Sequence, residues 1–111
     1  MQRKFRLAHP ADFERVRRDG ISYAHPFIVL FALASELPHA RFAVAAGARL
    51  GGAVVRNHLK RRLREALRPL APEVTAGHDL LLIARAPLRE AAQDEVNQAV
   101  RQILQRAGLL E

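Results

Sequence analysis

The stretch from Val54 to Leu70 constrains this chain most, because its spacing predicts a single, strongly basic amphipathic helix. Between Arg56 and Arg68 it carries six Lys or Arg residues and one acid, Glu65. Apolar residues recur at steps of three and four, which gathers them on one side of a helix. They are Val55, Leu59, Leu63, Ala66, Leu67 and Leu70. Another arc of roughly 100° forms what we call the basic front. Its members are Asn57, Lys60, Arg61, Arg64 and Arg68.

The basic front points to a polyanionic partner. A solvated helix normally interleaves acids with its cations, since Glu and Lys four residues apart stabilise each other. No acid neutralises this front, so its charges repel one another until a partner binds. The net charge of +7 is also unevenly spread, because the excess of Lys and Arg lies in residues 1–68. This asymmetry favours RNA or DNA over a membrane surface, and favours both over a merely soluble face.

Length and composition predict one soluble domain spanning residues 1–111. Half of the residues are hydrophobic, enough for a modest core. No cysteine is present, which excludes disulfides, Cys-rich zinc sites and thiol nucleophiles. No signal-like or membrane-length apolar run is found, so we expect a cytoplasmic protein. Residues 1–7 are predicted to form a mobile basic arm, with Arg3, Lys4 and Arg6 beside Phe5.

The remaining elements predict an α+β fold in the order helix, strands, helix, strand, helix. Pro10 starts a short helix that Gly20 ends, and Pro26 divides the extended residues 21–35. A turn at residues 36–39 makes a hairpin with residues 41–46 the expected pairing. The run at residues 79–84 is typical of a strand buried on both faces, and a last helix is expected from about residue 88 to residue 107. A glycine-bearing connection, residues 47–52, leads into the basic helix.

Two features of the predicted sheet bear on its partners. Phe27, Val29, Phe31 and Leu33 share one face by alternation, and the opposite face is apolar too, so one face packs on the core and the other is covered or binds a ligand. The basic helix lies between the strands at residues 41–46 and 79–84, which invites a crossover between parallel neighbours.

Catalytic and metal-binding patterns are missing from the sequence. The five histidines are scattered, and no paired carboxylates, nucleophile elbow or nucleotide-binding P-loop is present. No general base with an orienting partner can be recognised. If the protein takes part in catalysis, we therefore expect the chemistry to lie on its partner.

The basic helix, preceded by strands and a glycine-containing loop, resembles the hallmark helix of the bacterial ribonuclease P protein family. The family pattern is roughly Ala-Val-x-Arg-Asn-Arg-x-Lys-Arg-x-x-Arg-Glu. The matching residues are Ala53, Val54, Arg56, Asn57, Lys60, Arg61, Arg64 and Glu65. Phe5-Arg6-Leu7, Asp12-Phe13 with Val16, and Leu81 to Arg85 extend the similarity over nearly the whole chain.

The resemblance implies a protein cofactor of a ribozyme. The family protein binds a catalytic RNA, and together they remove the 5′ leader of precursor tRNA by Mg²⁺-dependent hydrolysis. The RNA cleaves the bond and, with the substrate, holds most of the Mg²⁺. No obligate protein partner and no membrane are implied. The family fold also contains a left-handed β-α-β crossover, against the usual right-handed rule.

Site residues carry over by position. Two sets follow from the resemblance, one for the ribozyme RNA and one for a leader cleft between the first helix and the sheet, where aromatic side chains stack on single-stranded bases. The RNA-facing set is Arg49, Arg56, Asn57, His58, Lys60, Arg61, Arg64 and Arg68. The leader-cleft set is Phe5, Arg6, Phe13, Arg17, Phe27, Val29 and Phe31, with ordinary core packing as the alternative for its apolar members.

Four features depart from the family pattern, one of which is Gly52, commonly a polar residue in the family. His58 replaces the usual third Arg, which makes that contact weaker or pH-sensitive. Only Arg49 remains basic in the preceding loop, and Arg17 stands where many members have a second aromatic residue.

Alternative functions are a ribosomal or ribosome-assembly protein, a DNA-binding regulator and a lone protein nuclease. The regulator is disfavoured because strands, not a helix-turn-helix, precede the basic helix.

Overall fold

The structure, a computed structural model, describes residues 5–111 as three helices and a four-stranded sheet. In chain order the elements are α1 (Pro10–Asp19), β1 (Ile21–Ala24), β2 (Ile28–Ala34), β3 (Arg41–Ala46), α2 (Ala53–Leu67), β4 (His78–Ala84) and α3 (Gln93–Arg106). Strand order in the sheet is β1-β2-β4-β3, with β3 and β4 parallel and the other neighbours antiparallel. The predicted α+β class is confirmed, as is the parallel crossover from β3 through α2 to β4. The left-handed sense of that crossover stays a prediction.

The larger core lies between one face of the sheet and helices α2 and α3. Leu59, Leu63 and Leu67 of α2 are at most 1% exposed, as the period of the sequence predicts. They meet the sheet where β2 and β4 contribute Leu30 and Leu82. Helix α3 packs beside α2 through its own apolar stripe, and a hydrogen bond from the Ala92 N–H to the Glu95 carboxylate caps its first turn. The burial of the apolar side of α2 therefore fixes which side of that helix faces outward.

A smaller core lies on the other face of the sheet, beneath α1. Val16 is fully buried there, against Ala43 of β3 and Leu81 of β4. Gly20 lets the end of α1 approach the sheet, because a Cβ at this position would lie 2.5 Å from the Val16 carbonyl oxygen and 3.0 Å from that of Ala32. Helix α1 is thus pressed closely onto β2 and β4.

One predicted strand pairing is wrong. Residues 41–46 do not form a hairpin with the preceding strand, because β4 inserts between β2 and β3. The hairpin instead joins β1 to β2 across the Pro26 turn. Leu80, Leu81 and Leu82 are buried on alternate faces of β4, which explains its central position, since a strand that is apolar on both sides gains most from being covered on both.

Two element boundaries also differ from expectation. The last helix begins at Gln93, because residues Ala86–Glu90 form a short 3-10 helix with Leu88 buried. The part of the predicted mobile arm that the structure describes is docked: Arg6 bridges to Phe42 of β3, and the Leu7 N–H donates to the Phe42 carbonyl at 2.7 Å. Residues 1–4 of that arm lie outside the described residues. Over residues 5–111, no helix is both long enough and apolar enough to cross a bilayer.

Candidate nucleic-acid interface

The basic front lies on the outer side of α2, as the helical period predicts. Asn57, Arg61 and Arg68 are exposed, while Lys60 and Arg64 are partly covered. Four of these side chains project from α2 and Arg68 is its C-cap residue, while Leu59 and its neighbours fix the buried side of the helix. The sequence pattern and the packing therefore agree on which side of α2 is buried and which side is left uncovered by the core.

Most of the positive charge on this front has no acidic partner. In the described part of the chain, no carboxylate lies within ion-pairing distance of Lys60, Arg61 or Arg64. Arg68 is the exception, since its guanidinium lies 3.0 Å from Glu65 in an exposed pair. Exposed pairs of this kind are worth about 0–1 kcal/mol, so a phosphate can displace the carboxylate at small cost.

Arg62, next to the basic front, has a structural role. Its guanidinium donates to the carbonyls of Leu88 (2.9 Å) and Ala91 and to the Gln93 side chain, while the Gln93 amide donates back to the Arg62 carbonyl. These bonds tie α2 to the segment that precedes α3. Arg62 is thus held by contacts within the fold, whereas its neighbour Arg61 is exposed on the basic front.

The start of α2 presents further donors. Arg56 is partly buried, and its Nε atom has no hydrogen-bond partner among residues 5–111. Arg49 is exposed in the short 3-10 helix Ala48–Leu50, just before the turn at Gly51. Gly51 has φ of 141°, a conformation that side chains disfavour, and a Cβ there would also lie 3.0 Å from the Val55 Cβ. Val55 itself is 39% exposed, so its predicted place on the buried side of the helix is wrong.

His58 is exposed on α2 and lies beside Arg61. Its Nδ1 atom is 3.4 Å from an Arg61 guanidinium nitrogen. An open surface depression of about 410 Å³ surrounds the pair, with Arg62, Glu65 and Gln93 completing its lining. The histidine that replaces an expected arginine is therefore exposed beside the basic front, next to Arg61.

The face of the sheet beneath α1 forms a second candidate surface. Strand register places Val29 of β2, Ile83 of β4 and Ala45 of β3 in one row, and all three are partly exposed. The neighbouring row, Phe31 and its partners, is partly covered by α1, which contributes Phe13. Arg17 is exposed on the same helix, one turn after Phe13. Phe13, Val29 and Phe31 therefore come together along one open apolar face, with a cation at its side.

Two aromatic members of the predicted cleft lie elsewhere. Phe27 precedes β2 and packs against the larger core, with its ring 5.4 Å from that of His25. The alternation that would place it beside Val29 fails because residue 27 belongs to the turn and not to the strand. Phe5 also packs against the larger core, with its ring 6.3 Å from that of His39. The expectation that Phe27 shares the face of Val29 and Phe31 is thus wrong.

A groove of about 260 Å³ joins the two candidate surfaces at the edge of β3. Phe13 lines it from the α1 side, Lys60 and Arg64 from the α2 side, and Arg6 from the docked N-terminal segment. Phe42, Ala43 and Val44 of β3, an edge strand of the sheet, also line it. The basic front and the cleft are therefore continuous around this edge, a relation that the linear sequence did not reveal.

A buried ion network fixes the first helix to the sheet. Asp79 of β4 is fully buried, and it accepts two hydrogen bonds from Arg41 of β3, both of 2.9 Å, and one of 2.8 Å from Arg15 of α1. Arg15 also donates to Asp12 at 3.1 Å. Burial by itself would raise the pKa of Asp79, but the hydrogen bonds from Arg41 and Arg15 outweigh it and lower that pKa below its usual value.

Sequence reasoning missed this network, because its partners are 38 and 64 residues apart. The one available signal was an acid at the start of a strand that is otherwise apolar on both faces. Buried carboxylates are rare unless they are paired. An unmatched Asp79 therefore implied a cationic partner, although not which one.

The described residues contain no group of three or more His, Cys, Asp or Glu side chains arranged to hold a metal ion. Asp12 and Asp79 are both paired with the Arg15 guanidinium, which lies between their carboxylates. What the surface offers is cations, amides and an apolar face, which suit phosphates and bases.

Comparisons with known proteins agree with this chemistry. A family model described as Ribonuclease P matches residues 1–108. The ribonuclease P protein component of Roseiflexus castenholzii is 41% identical, and the match covers 100% of this chain and 92% of that relative. The ribonuclease P protein component of Geobacillus thermodenitrificans is 36% identical, and the match covers 100% of this chain and 93% of that relative. Among solved structures, the RNase P protein of Staphylococcus aureus aligns with a TM-score of 0.86 at 27% identity, covering 96% of this chain and 98% of that one. The Thermotoga maritima RNase P protein, in complex with 1-(4-fluorophenyl)-2-thiourea, aligns with a TM-score of 0.82 at 27% identity, covering 91% and 98%.

Proposed function

Since the chain belongs to the ribonuclease P protein family, we propose that it binds the RNA subunit of ribonuclease P and the 5′ leader of precursor tRNA. It is the protein component of a ribonucleoprotein endonuclease. In that particle it acts by binding and positioning RNA, and the RNA subunit carries the bond cleavage.

The observation that carries this proposal is the row of unpaired cations on α2. Lys60, Arg61 and Arg64 are held outward by a helix whose opposite side is packed on the core from Leu59 to Leu67. Each phosphate that such a cation contacts releases counterions, which makes binding favourable and dependent on salt.

The leader is proposed to occupy the open face of the sheet beside α1. Phe13 and Phe31 present ring surface there, next to the half-exposed Val29. Stacking of a base on an aromatic side chain contributes about 1–3 kcal/mol and tolerates any sequence, which suits leaders that differ between tRNAs. Arg17 and the groove cations at the edge of β3 can reach the leader backbone.

Mg²⁺ would be held by phosphates of the RNA subunit and the substrate. The described side chains do not fit such an ion by themselves, because the acids nearest the cleft are paired with arginines. What these residues supply is cationic and apolar contact, which holds the leader while the RNA and its metal ions act. The protein would therefore raise substrate affinity without contributing a reacting group.

Equilibrium binding to two RNAs of matched length, a bacterial ribonuclease P RNA and a ribosomal RNA fragment, tests the partner. We expect the ribonuclease P RNA to bind at least tenfold more tightly at a physiological salt concentration. Alanine at both Lys60 and Arg64 should remove most of this preference. Equal binding to both RNAs, or preference for the ribosomal fragment, would favour a role in ribosome assembly instead.

A further inference from the structure

We propose that the ion network of Asp79, Arg15, Arg41 and Asp12 positions α1 over the sheet and thereby sets the geometry of the leader cleft. This inference rests on the proposed leader-binding function. It assigns a role in substrate recognition to Arg15 and Asp79 that involves no contact with RNA. Both are positioning residues, acting through Phe13 and Arg17 on the same helix.

The network joins three elements at one point. The Asp79 carboxylate is fully buried and uses both oxygens, one for the Arg41 Nε atom and the other for terminal nitrogens of Arg41 and Arg15. Arg15 is its link to α1, and the same Arg15 nitrogen reaches Asp12 one turn earlier. A buried carboxylate whose two oxygens are both occupied holds its partners in a narrow range of positions.

Helix α1 gains from such a link, because few apolar contacts hold its rotation. It is only ten residues long, Val16 is its one fully buried side chain, and Phe13 is partly buried against the same core. A helix held along a single line of contact can roll about its own axis. Arg15 extends from the helix about 100° away from Val16 and is tethered to β4, so the two contacts together prevent rolling. Rolling would move Phe13 and Arg17 relative to Phe31.

The network is poorly suited to binding RNA directly. Its two arginines are matched by two carboxylates, so it presents no net charge. The fully buried Asp79 side chain cannot itself reach a ligand. A purely electrostatic role would put unpaired cations here, as on the basic front. The pairing instead withholds two arginines from phosphate, which favours a positioning role.

The molecule offers a matched control on the same helix. Arg18 is paired with Asp19, its neighbour in sequence, at 3.1 Å on the exposed side of the chain. Removing Arg15 or Arg18 deletes the same charge from the same helix, but only Arg15 links it to the sheet. Arg15→Ala leaves both Arg41 bonds to Asp79 in place, so the fold keeps its buried pair.

The test is the affinity of the reconstituted holoenzyme for a precursor tRNA with a leader, compared with its affinity for the same tRNA without one. The ratio of the two affinities is the leader-dependent gain. We expect Arg15→Ala to reduce this gain at least fivefold, Arg18→Ala to change it less than twofold, and Arg15→Lys to retain most of it. Affinity for the leaderless tRNA and assembly with the RNA subunit should stay within twofold of wild type.

The outcomes separate this inference from the function on which it rests. A wild-type holoenzyme with no leader-dependent gain would refute leader binding and the positioning role together. A normal wild-type gain with equal losses in Arg15→Ala and Arg18→Ala would leave leader binding intact and refute positioning. An Arg15→Ala variant that loses affinity for both substrates in the same proportion would show a structural role only.

Discussion

Replacing the buried carboxylate at Asp79 by an amide of the same shape should destabilise the native state strongly. Asp79→Asn removes the charge that accepts three hydrogen bonds from Arg15 and Arg41. It also turns an amide NH₂ toward guanidinium donors, so one or two charge-assisted bonds, each worth about 1.5–3 kcal/mol, are lost. The arginine side chains are 35% and 25% exposed, so they regain some hydration and soften the loss. We expect the free energy of unfolding to fall by about 2–4 kcal/mol, and the midpoint of thermal unfolding by about 8–15 °C.

The same substitution should change how stability depends on pH. The pKa of Asp79 is lowered in the folded protein, because hydrogen bonds from the arginines outweigh its burial. A lowered folded pKa means that the carboxylate contributes stability above the unfolded pKa, near 4, and that this contribution is lost as the pH falls through the folded value. The difference between wild type and Asp79→Asn should therefore be full at pH 7 and shrink below about pH 4.

Urea denaturation of the wild type and the variant at pH 7, 5 and 3 measures both effects. Asp19→Asn is the control, since that carboxylate is exposed and its pairing with Arg18 should matter little. If the free energies of unfolding of wild type and Asp79→Asn differ at pH 7 by less than about 0.5 kcal/mol, the reasoning is refuted. The buried ion pairs would then be worth no more than exposed ones. A difference that stays constant down to pH 3 would show that the carboxylate charge is not its cause.

Three further predictions follow from side-chain placement. Arg61→Ala should weaken binding of the RNA subunit several-fold, reduce the slope of log affinity against log salt by about one, and leave the free energy of unfolding unchanged. Arg62→Ala should affect stability instead of binding, lowering the free energy of unfolding by about 1–2 kcal/mol, because it loses bonds to two carbonyls. Phe31→Leu should reduce the leader-dependent gain in affinity about tenfold, and Phe27→Leu, against the larger core, should change it less. Gly20→Ala should lower the free energy of unfolding by about 1–3 kcal/mol in a urea titration, since its Cβ would meet backbone oxygens that cannot move freely. Equal effects of Arg61→Ala and Arg62→Ala, or of Phe31→Leu and Phe27→Leu, would contradict the different positions assigned to the two residues of that pair. An unchanged stability of Gly20→Ala would contradict the close approach of α1 to the sheet.

Local patterns predicted much of the fold. The period of three to four residues placed Leu59, Leu63 and Leu67 on the buried side of α2, and the alternating faces of β2 were confirmed from Ile28 onward. These predictions succeed because a helix or strand imposes its own geometry on neighbouring residues. Val55 fails at the first turn of α2, where the helix extends beyond the core that covers its middle.

Strand pairing and the ion network depend on distant residues, so periodicity could not supply them. Nothing local decides whether β3 pairs with β2 or with β4. That choice follows from the burial of both faces of β4, which is a property of the whole sheet. Asp79 meets Arg15 and Arg41 only after the sheet has formed. The candidate site divides similarly, because the basic front is local to one helix, whereas the cleft and the groove at the β3 edge combine several elements.

The most direct test of the account is cleavage of a 5′-extended precursor tRNA at low Mg²⁺ concentration by a bacterial ribonuclease P RNA, with and without this protein. Protein alone is the control. We predict efficient cleavage at the mature 5′ end only when RNA and protein are both present, and none by the protein alone. Cleavage by the protein alone would contradict the assignment of catalysis to the RNA, and no stimulation of the RNA would contradict the proposed function itself.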